Sequence, residues 1–299
     1  MTQRTAGIDA EQTICWIEGK ILPASEARIP VLDHGFLFGD GVFEGIRVTS
    51  RGIFRFADHM KRLETAARAI GLVVPEGFER VHEVARETTR AWGPRAGYLR
   101  LVVTRGVGAL GIDPSTCPAP AIVCIATSAA PLSPEKAARG IDLITSSLRR
   151  PPADVLDPRV KSLNYLNNVL AKREAALRGA DDALVLNARG LVAESSATNV
   201  FVLTGRTLDT PPTTDGALEG LTRRTVMELG GELDLEVREK SLGRFDLYAA
   251  DAVFLTGTRA GIVPVASLDG SPIAKTGWPV VQTLSAAFER RAVELSTPV

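Results

Sequence analysis

The chain has 299 residues, 45% of them apolar, which suffices for two domains or one large one with substantial cores. Lysine plus arginine and aspartate plus glutamate balance at 35 each, so nothing in the net charge points to nucleic acid or another polyanion. Cys15, Cys117 and Cys124 have no CxxC spacing, the histidines form no HExxH, no apolar run reaches the roughly 18 residues of a membrane span, and residues 1–13 lack a leader's apolar core. A disulfide framework, a metal site and a membrane anchor are therefore not expected, and a reduced cytoplasm fits best.

Residues 14–22 and 29–32 read as short strands. "GVFEGIRVTSRGIFRF", 41–56, reads as a hairpin turning at "TSRG", with Arg55 aligned inward beside Ile53. Asp58 then caps a helix that stops at Gly71, and a second helix runs from Gly77 to Trp92. "GYLRLVVTR" and "PAIVCIAT", 97–105 and 120–127, are apolar strands. Small residues and proline in "SAAPLSPEKAARG" mark a linker at about 128–138, dividing a domain at 1–127 from one at 139–299. Beyond it come a strand at 141–147, a helix from Leu163 with Ser162 as cap and Gly179 as stop, and strands at 183–187 and 199–204. A helix in "LTRRTVMELGG", a strand at 252–256 and a helix at 276–295 close the chain. Strands and helices mix without regular alternation, which favours two α+β domains over a doubly wound sheet.

Some motifs fail their own structural tests. "GVGALG", 106–111, matches GxGxxG after a strand, but "IDPSTCPAP" follows where a phosphate-binding helix is required. A glycine loop able to close over a ligand is the better reading. "SPEK", 133–136, and "KTG", 275–277, echo boxes of serine acyl-hydrolases with Ser133 as nucleophile, but Ser-Pro-Glu is also an ordinary helix start.

Lys161, in "DPRVKSLNYLNNVLAKREAALRG", sits just ahead of the expected helix. It is either a solvated loop residue or a reactive amine tethered by that helix. If it serves pyridoxal phosphate, a carboxylate must face the ring nitrogen and a donor cradle must hold the phosphate. Glu194, between apolar runs, offers the carboxylate. Leu221 and Thr222 at a helix start, Thr258 after a strand, and Arg55 offer the cradle.

In this order the motifs resemble the class IV (fold type IV) pyridoxal-phosphate aminotransferases over about residues 14–290, most specifically from Glu194 to Arg223. The resemblance implies a two-domain α+β fold with Lys161 bound to the cofactor and moving the proton. It implies Tyr165 as donor to the ring oxygen, Glu194 as partner of the ring nitrogen and Leu218 packed on the ring. Arg55, Leu221, Thr222 and Thr258 would form the phosphate cup. "FGDGVFEGIRV" and "GYLRLVVTRGVGALGIDP" resemble the substrate side of branched-chain aminotransferases. That places Phe38, Phe43, Arg47, Tyr98, Arg100, Val107 and Leu110 at the substrate. Phe38 stands where many of those enzymes carry tyrosine. The implied partners are amino and 2-oxo acids and a second copy of the chain. D-amino-acid aminotransferases, (R)-amine transaminases and aminodeoxychorismate lyase share the fold and remain alternatives.

Overall fold

The computed structural model describes residues 12–75, 77–129 and 132–299, so residues 1–11, read above for a leader, lie outside it. Two compact units emerge: residues 12–129, 161–164 and 292–299 in one, and 132–160 with 165–291 in the other. The division therefore interleaves, where the sequence suggests a single cut at a linker. That stretch also carries a helix, Pro134–Arg139, whose start is capped by Ser133 Oγ accepting from the Lys136 N–H. No helix among the described residues is long and apolar enough to cross a membrane.

The first unit is built on strands β1 (Ile14–Ile17), β2 (Lys20–Pro23), β3 (Gly41–Thr49), β4 (Gly52–Phe54), β5 (Gly97–Thr104) and β6 (Ala121–Thr127). With the terminal pair Ser296–Thr297 they form one sheet in the order 296–297, β4, β3, β5, β6, β1, β2. Helices α1 (His34–Phe38), α2 (Phe56–Ala69) and α3 (Phe78–Trp92) complete the unit. The strand expected at 29–32 is absent, because Pro30 cannot join a ladder and Asp33 instead caps α1 through its side chain. Asp58 is no cap either. It lies in the first turn of α2, whose N-cap is Arg55 at φ 43°. Arg55 is thus a left-handed corner rather than the inward strand residue that alternation suggests.

Strand β3 pairs with β5 from Gly41 to Val48, but with β4 only at Val48 and Thr49. One edge of its first half is left open. Residues 161–163 fill it: Phe43 N–H donates to the Lys161 carbonyl at 3.0 Å and Leu163 N–H to the Gly41 carbonyl at 2.9 Å. Glycine is needed at 41, where a Cβ would meet the Val103 carbonyl oxygen on β5 at 2.7 Å and Leu163 Cδ1 at 2.8 Å.

The second unit holds a mixed sheet of nine strands. Its strands are β7 (Ile141–Arg149), β8 (Asp182–Leu186), β9 (Val192–Ser195), β10 (Asn199–Thr204), β11 (Thr207–Thr210), β12 (Glu236–Glu239), β13 (Ala252–Gly257), β14 (Gly261–Leu268) and β15 (Ser271–Pro272). After helix α4 (Pro134–Arg139) come α5 (Ala153–Leu156), α6 (Leu166–Leu177), α7 (Leu221–Glu232), α8 (Arg244–Tyr248) and α9 (Trp278–Glu294). Leu184, Val200, Val202, Val253 and Leu255 knit β8, β10 and β13 into one core.

Helix α6 corrects two expectations. It begins at Leu166 with Tyr165 as N-cap, so Ser162 caps nothing and instead faces Val42 in a β-bridge. Lys161 and Tyr165 both precede the helix and are not one helical turn apart. The buried face is Asn168, Ala171 and Ala175, while Leu166 and Leu177 are 68% and 70% exposed. The alanines pack on Ile144, Ala183 and Val185, where small side chains let the helix lie close to the strands.

Candidate active site

In the first unit, alternation along β3 and β5 sorts the expected residues by face. Arg47 lies opposite Tyr98 and Gly45 opposite Arg100, so Phe43, Arg47, Tyr98 and Arg100 share one side. The Tyr98 hydroxyl lies where a Cβ on Gly45 would be, at 2.0 Å, so only glycine admits the ring. The Arg100 guanidinium sits 3.2 Å from the Phe43 ring centroid and Lys161 Nζ 4.6 Å from it. A lysine and an arginine thus flank one buried aromatic ring, with a tyrosine hydroxyl on the same face of the sheet, a setting suited to an anionic ligand with an apolar part. Phe38 stacks edge-on against His34 at 5.0 Å. Val107 lines an apolar cavity of about 870 Å³ with Phe36, Val102 and Leu163, whereas Leu110 is 80% exposed.

The opposite side of β3 carries Glu44, fully buried. It receives His59 Nδ1 at 2.8 Å and a two-pronged Arg62 at 2.7 Å on each oxygen. Burial works to raise its pKa, but Arg62 and His59 outweigh that and hold it well below the usual carboxylate range. Burial pushes His59 down, with Glu44 opposing and Arg62 and Lys161 adding to the depression. His59 and Arg62 fall on one face of α2, and Arg55, its N-cap, pairs with Asp58 at 3.0 Å.

In the second unit, Glu194 on β9 is buried, 4% exposed, at the centre of a polar network. Arg150 pairs with Oε1 at 2.8 Å. Oε2 accepts from the Leu218 N–H at 3.0 Å and from Asn199 Nδ2 at 3.4 Å. Asn199 also donates to the Leu218 carbonyl at 2.8 Å, and its Oδ1 lies 2.0 Å from where a Cβ on Gly220 would be. One asparagine therefore ties the acid to the loop that opens α7 and forces glycine at 220.

Helix α7 begins at Leu221 with Gly220 as N-cap and no side-chain cap, leaving its first amides directed outward. The Thr222 hydroxyl is buried and has no hydrogen-bond partner, and neither has the Thr256 hydroxyl on β13, the strand α7 packs against. A buried orphan hydroxyl beside free helix amides is the donor set that a phosphate group requires. Leu221 is buried, while Thr258 lies in the turn after β13. The sequence alone does not single out Arg150, Asn168 or the bracing role of Asn199. "RRPP" distinguishes no buried arginine from its neighbour.

Residues 41–268 match the amino-transferase class IV family, and the chain belongs to it. It is a fold type IV aminotransferase. Its relatives are branched-chain-amino-acid aminotransferases: that of Escherichia coli (strain K12) is 32% identical over 280 residues, covering 91% of each chain. A Methanocaldococcus jannaschii protein assigned to the same class is 46% identical over 258 residues, 86% of this chain and 88% of that one. Among solved structures, the Escherichia coli branched-chain amino acid aminotransferase superposes with a TM-score of 0.88 at 30% identity, over 95% of this chain and 96% of that one. The branched-chain amino acid aminotransferase of Thermobaculum terrenum, solved in its pyridoxal-phosphate form, gives 0.81 at 30% identity, covering 94% of both chains. The serine-hydrolase alternative falls with this, since Ser133 serves as a helix cap and Lys136 pairs with Asp181 at 2.6 Å.

Proposed function

We propose that this aminotransferase moves the amino group of L-leucine, L-isoleucine or L-valine to 2-oxoglutarate, in two half-reactions with pyridoxal phosphate as carrier. The cofactor supplies an aldehyde to take the amino group and a ring to withdraw electrons from the reacting carbon. Lys161 holds it through Nζ and moves the substrate α-proton at that nitrogen. Glu194 keeps a proton on the ring nitrogen. The first amides of α7, Thr222, Thr258 and Arg55 hold the phosphate, Tyr165 donates to the ring oxygen and Leu218 packs on the ring. Arg100 and Tyr98 bind the substrate carboxylate, and Phe43, Val107 and Leu110 favour aliphatic side chains. The observation that carries the phosphate assignment is the buried, unpartnered hydroxyl of Thr222.

The test is a panel of L- and D-amino acids with 2-oxoglutarate or pyruvate as acceptor. Turnover of the branched-chain L-amino acids is expected. D-alanine turnover without L-leucine turnover would overturn the substrate while sparing the cofactor. Pyruvate release from aminodeoxychorismate without any acceptor would make the enzyme a lyase. Association as a homodimer or higher homo-oligomer belongs to the same reading, supported by the exposed apolar side chains of Val31, Phe36, Leu110 and Ile112. Light scattering on the purified protein measures it, and a monomer at micromolar concentration would refute it.

A further inference from the structure

We infer that Arg150 is a positioning residue that fixes the charge and orientation of Glu194, and thereby keeps the proton on the cofactor's ring nitrogen. The inference rests on the role of Glu194 proposed above. Arg150 follows β7 and is buried, 8% exposed. Its three donor nitrogens reach three different segments. One Nη pairs with Glu194 Oε1 at 2.8 Å, the other donates to Asn168 Oδ1 on α6 at 3.2 Å, and Nε donates to the Gly216 carbonyl at 3.2 Å. Asn168 is itself fixed by donating to the Ser196 carbonyl at 2.6 Å. The guanidinium cannot swing away without breaking all three bonds.

The chemistry follows from where a shared proton sits. Between a carboxylate and a pyridine nitrogen, the proton stays on nitrogen only if the anion is the better-stabilised partner. Two N–H donors already hold Oε2 of Glu194. The cation on Oε1 supplies the remaining stabilisation and prevents the acid from turning. A buried carboxylate stripped of its cation takes the proton itself. Arg150 also borders a cavity of about 360 Å³ with Pro152, Arg159, Asn187 and Thr213, so a small cation has a route to its position.

The experiment reconstitutes the full chain with pyridoxal phosphate labelled with ¹⁵N in the ring and reads the nitrogen by NMR, alongside cofactor affinity. In the unsubstituted enzyme the nitrogen is expected to be protonated. In R150M it is expected to be unprotonated, with affinity weakened roughly tenfold or more. R150K keeps a charge and is expected to retain the proton. In R150A, guanidinium entering by the cavity is expected to restore it. A protonated nitrogen in R150M overturns the role of Arg150 alone. If R150M does not fold, a protonated nitrogen in R150A without added guanidinium has the same effect. If the unsubstituted enzyme takes up no cofactor, the proposed function itself fails, and this inference with it.

Discussion

The N–H of Phe43 donates to the carbonyl of Lys161, so the lysine of this aminotransferase is held as the edge of a sheet rather than as the head of a helix. Its backbone position is fixed by β3, on a short rung whose next bond runs from Leu163 to Gly41. Gly41→Ala places a methyl group 2.7 Å from the Val103 carbonyl oxygen, a backbone atom that cannot step aside. Urea denaturation is expected to show a loss of about 1–3 kcal/mol. Turnover should fall further than that loss explains, because the rung carries Lys161. Full activity at reduced stability would show that the rung does not position the lysine.

Thr222→Val separates a binding role from a structural one. The hydroxyl has no protein partner, so its removal from the cofactor-free protein should leave stability within about 0.5 kcal/mol or raise it slightly. Affinity for pyridoxal phosphate should drop roughly tenfold, the worth of one hydrogen bond to a charged group. Thr225 hydrogen-bonds the Leu221 carbonyl within α7, and Thr225→Val should leave cofactor affinity unchanged. Equal affinities for the two variants would remove Thr222 from the phosphate cup.

Gly220→Ala tests the brace made by Asn199. The new Cβ would occupy the position of Asn199 Oδ1, displacing the side chain that links Glu194 to Leu218. Stability is expected to fall by about 1–3 kcal/mol, with weaker cofactor binding. In the double variant Gly220→Ala, Asn199→Ala the clash is gone, and the two effects should combine less than additively. Simple additivity in a double-mutant cycle would argue against the coupling.

The pH dependence of stability should carry the mark of Glu44 and His59. Both have folded pKa values depressed below their ordinary 4.5 and 6.5, so both release protons on folding. Their contribution is complete above about pH 6.5. It declines as pH falls, first as the unfolded chain gains a proton at His59 and then, below 4.5, at Glu44. Glu44→Gln should cost roughly 3–5 kcal/mol at pH 7 by leaving Arg62 and His59 without their anion. The gap to the unsubstituted protein should narrow below pH 4.5. A gap constant from pH 7 to 3 would contradict the assignment.

The block from Glu194 to Arg223 is legible because each residue there acts near its own place in the chain: an acid on a short strand, an asparagine five residues on, a glycine before a helix. The main strands and helices follow from apolar periodicity within windows of ten to twenty residues. Helix α6 buries a different face from the one its leucines suggest, since an apolar stripe at helical spacing does not say what covers it. The strands β11, β12 and β14 carry no clear mark in the sequence. Two of them, β11 and β12, are four-residue segments too short for a periodic pattern.

By itself, then, the sequence determined the chemistry on offer: an amine at 161, an acid at 194, a glycine-opened helix at 221 and an arginine-tyrosine pair at 98–100. Only the tertiary structure decided that residues 161–163 complete an open strand edge, that alanines rather than leucines bury α6, and that Arg150 rather than Arg149 meets Glu194. The physical reason is range. Periodicity and capping depend on neighbours a few residues apart, whereas an ion pair between residues 150 and 194 exists only once β7 and β9 have joined the same sheet around a shared core.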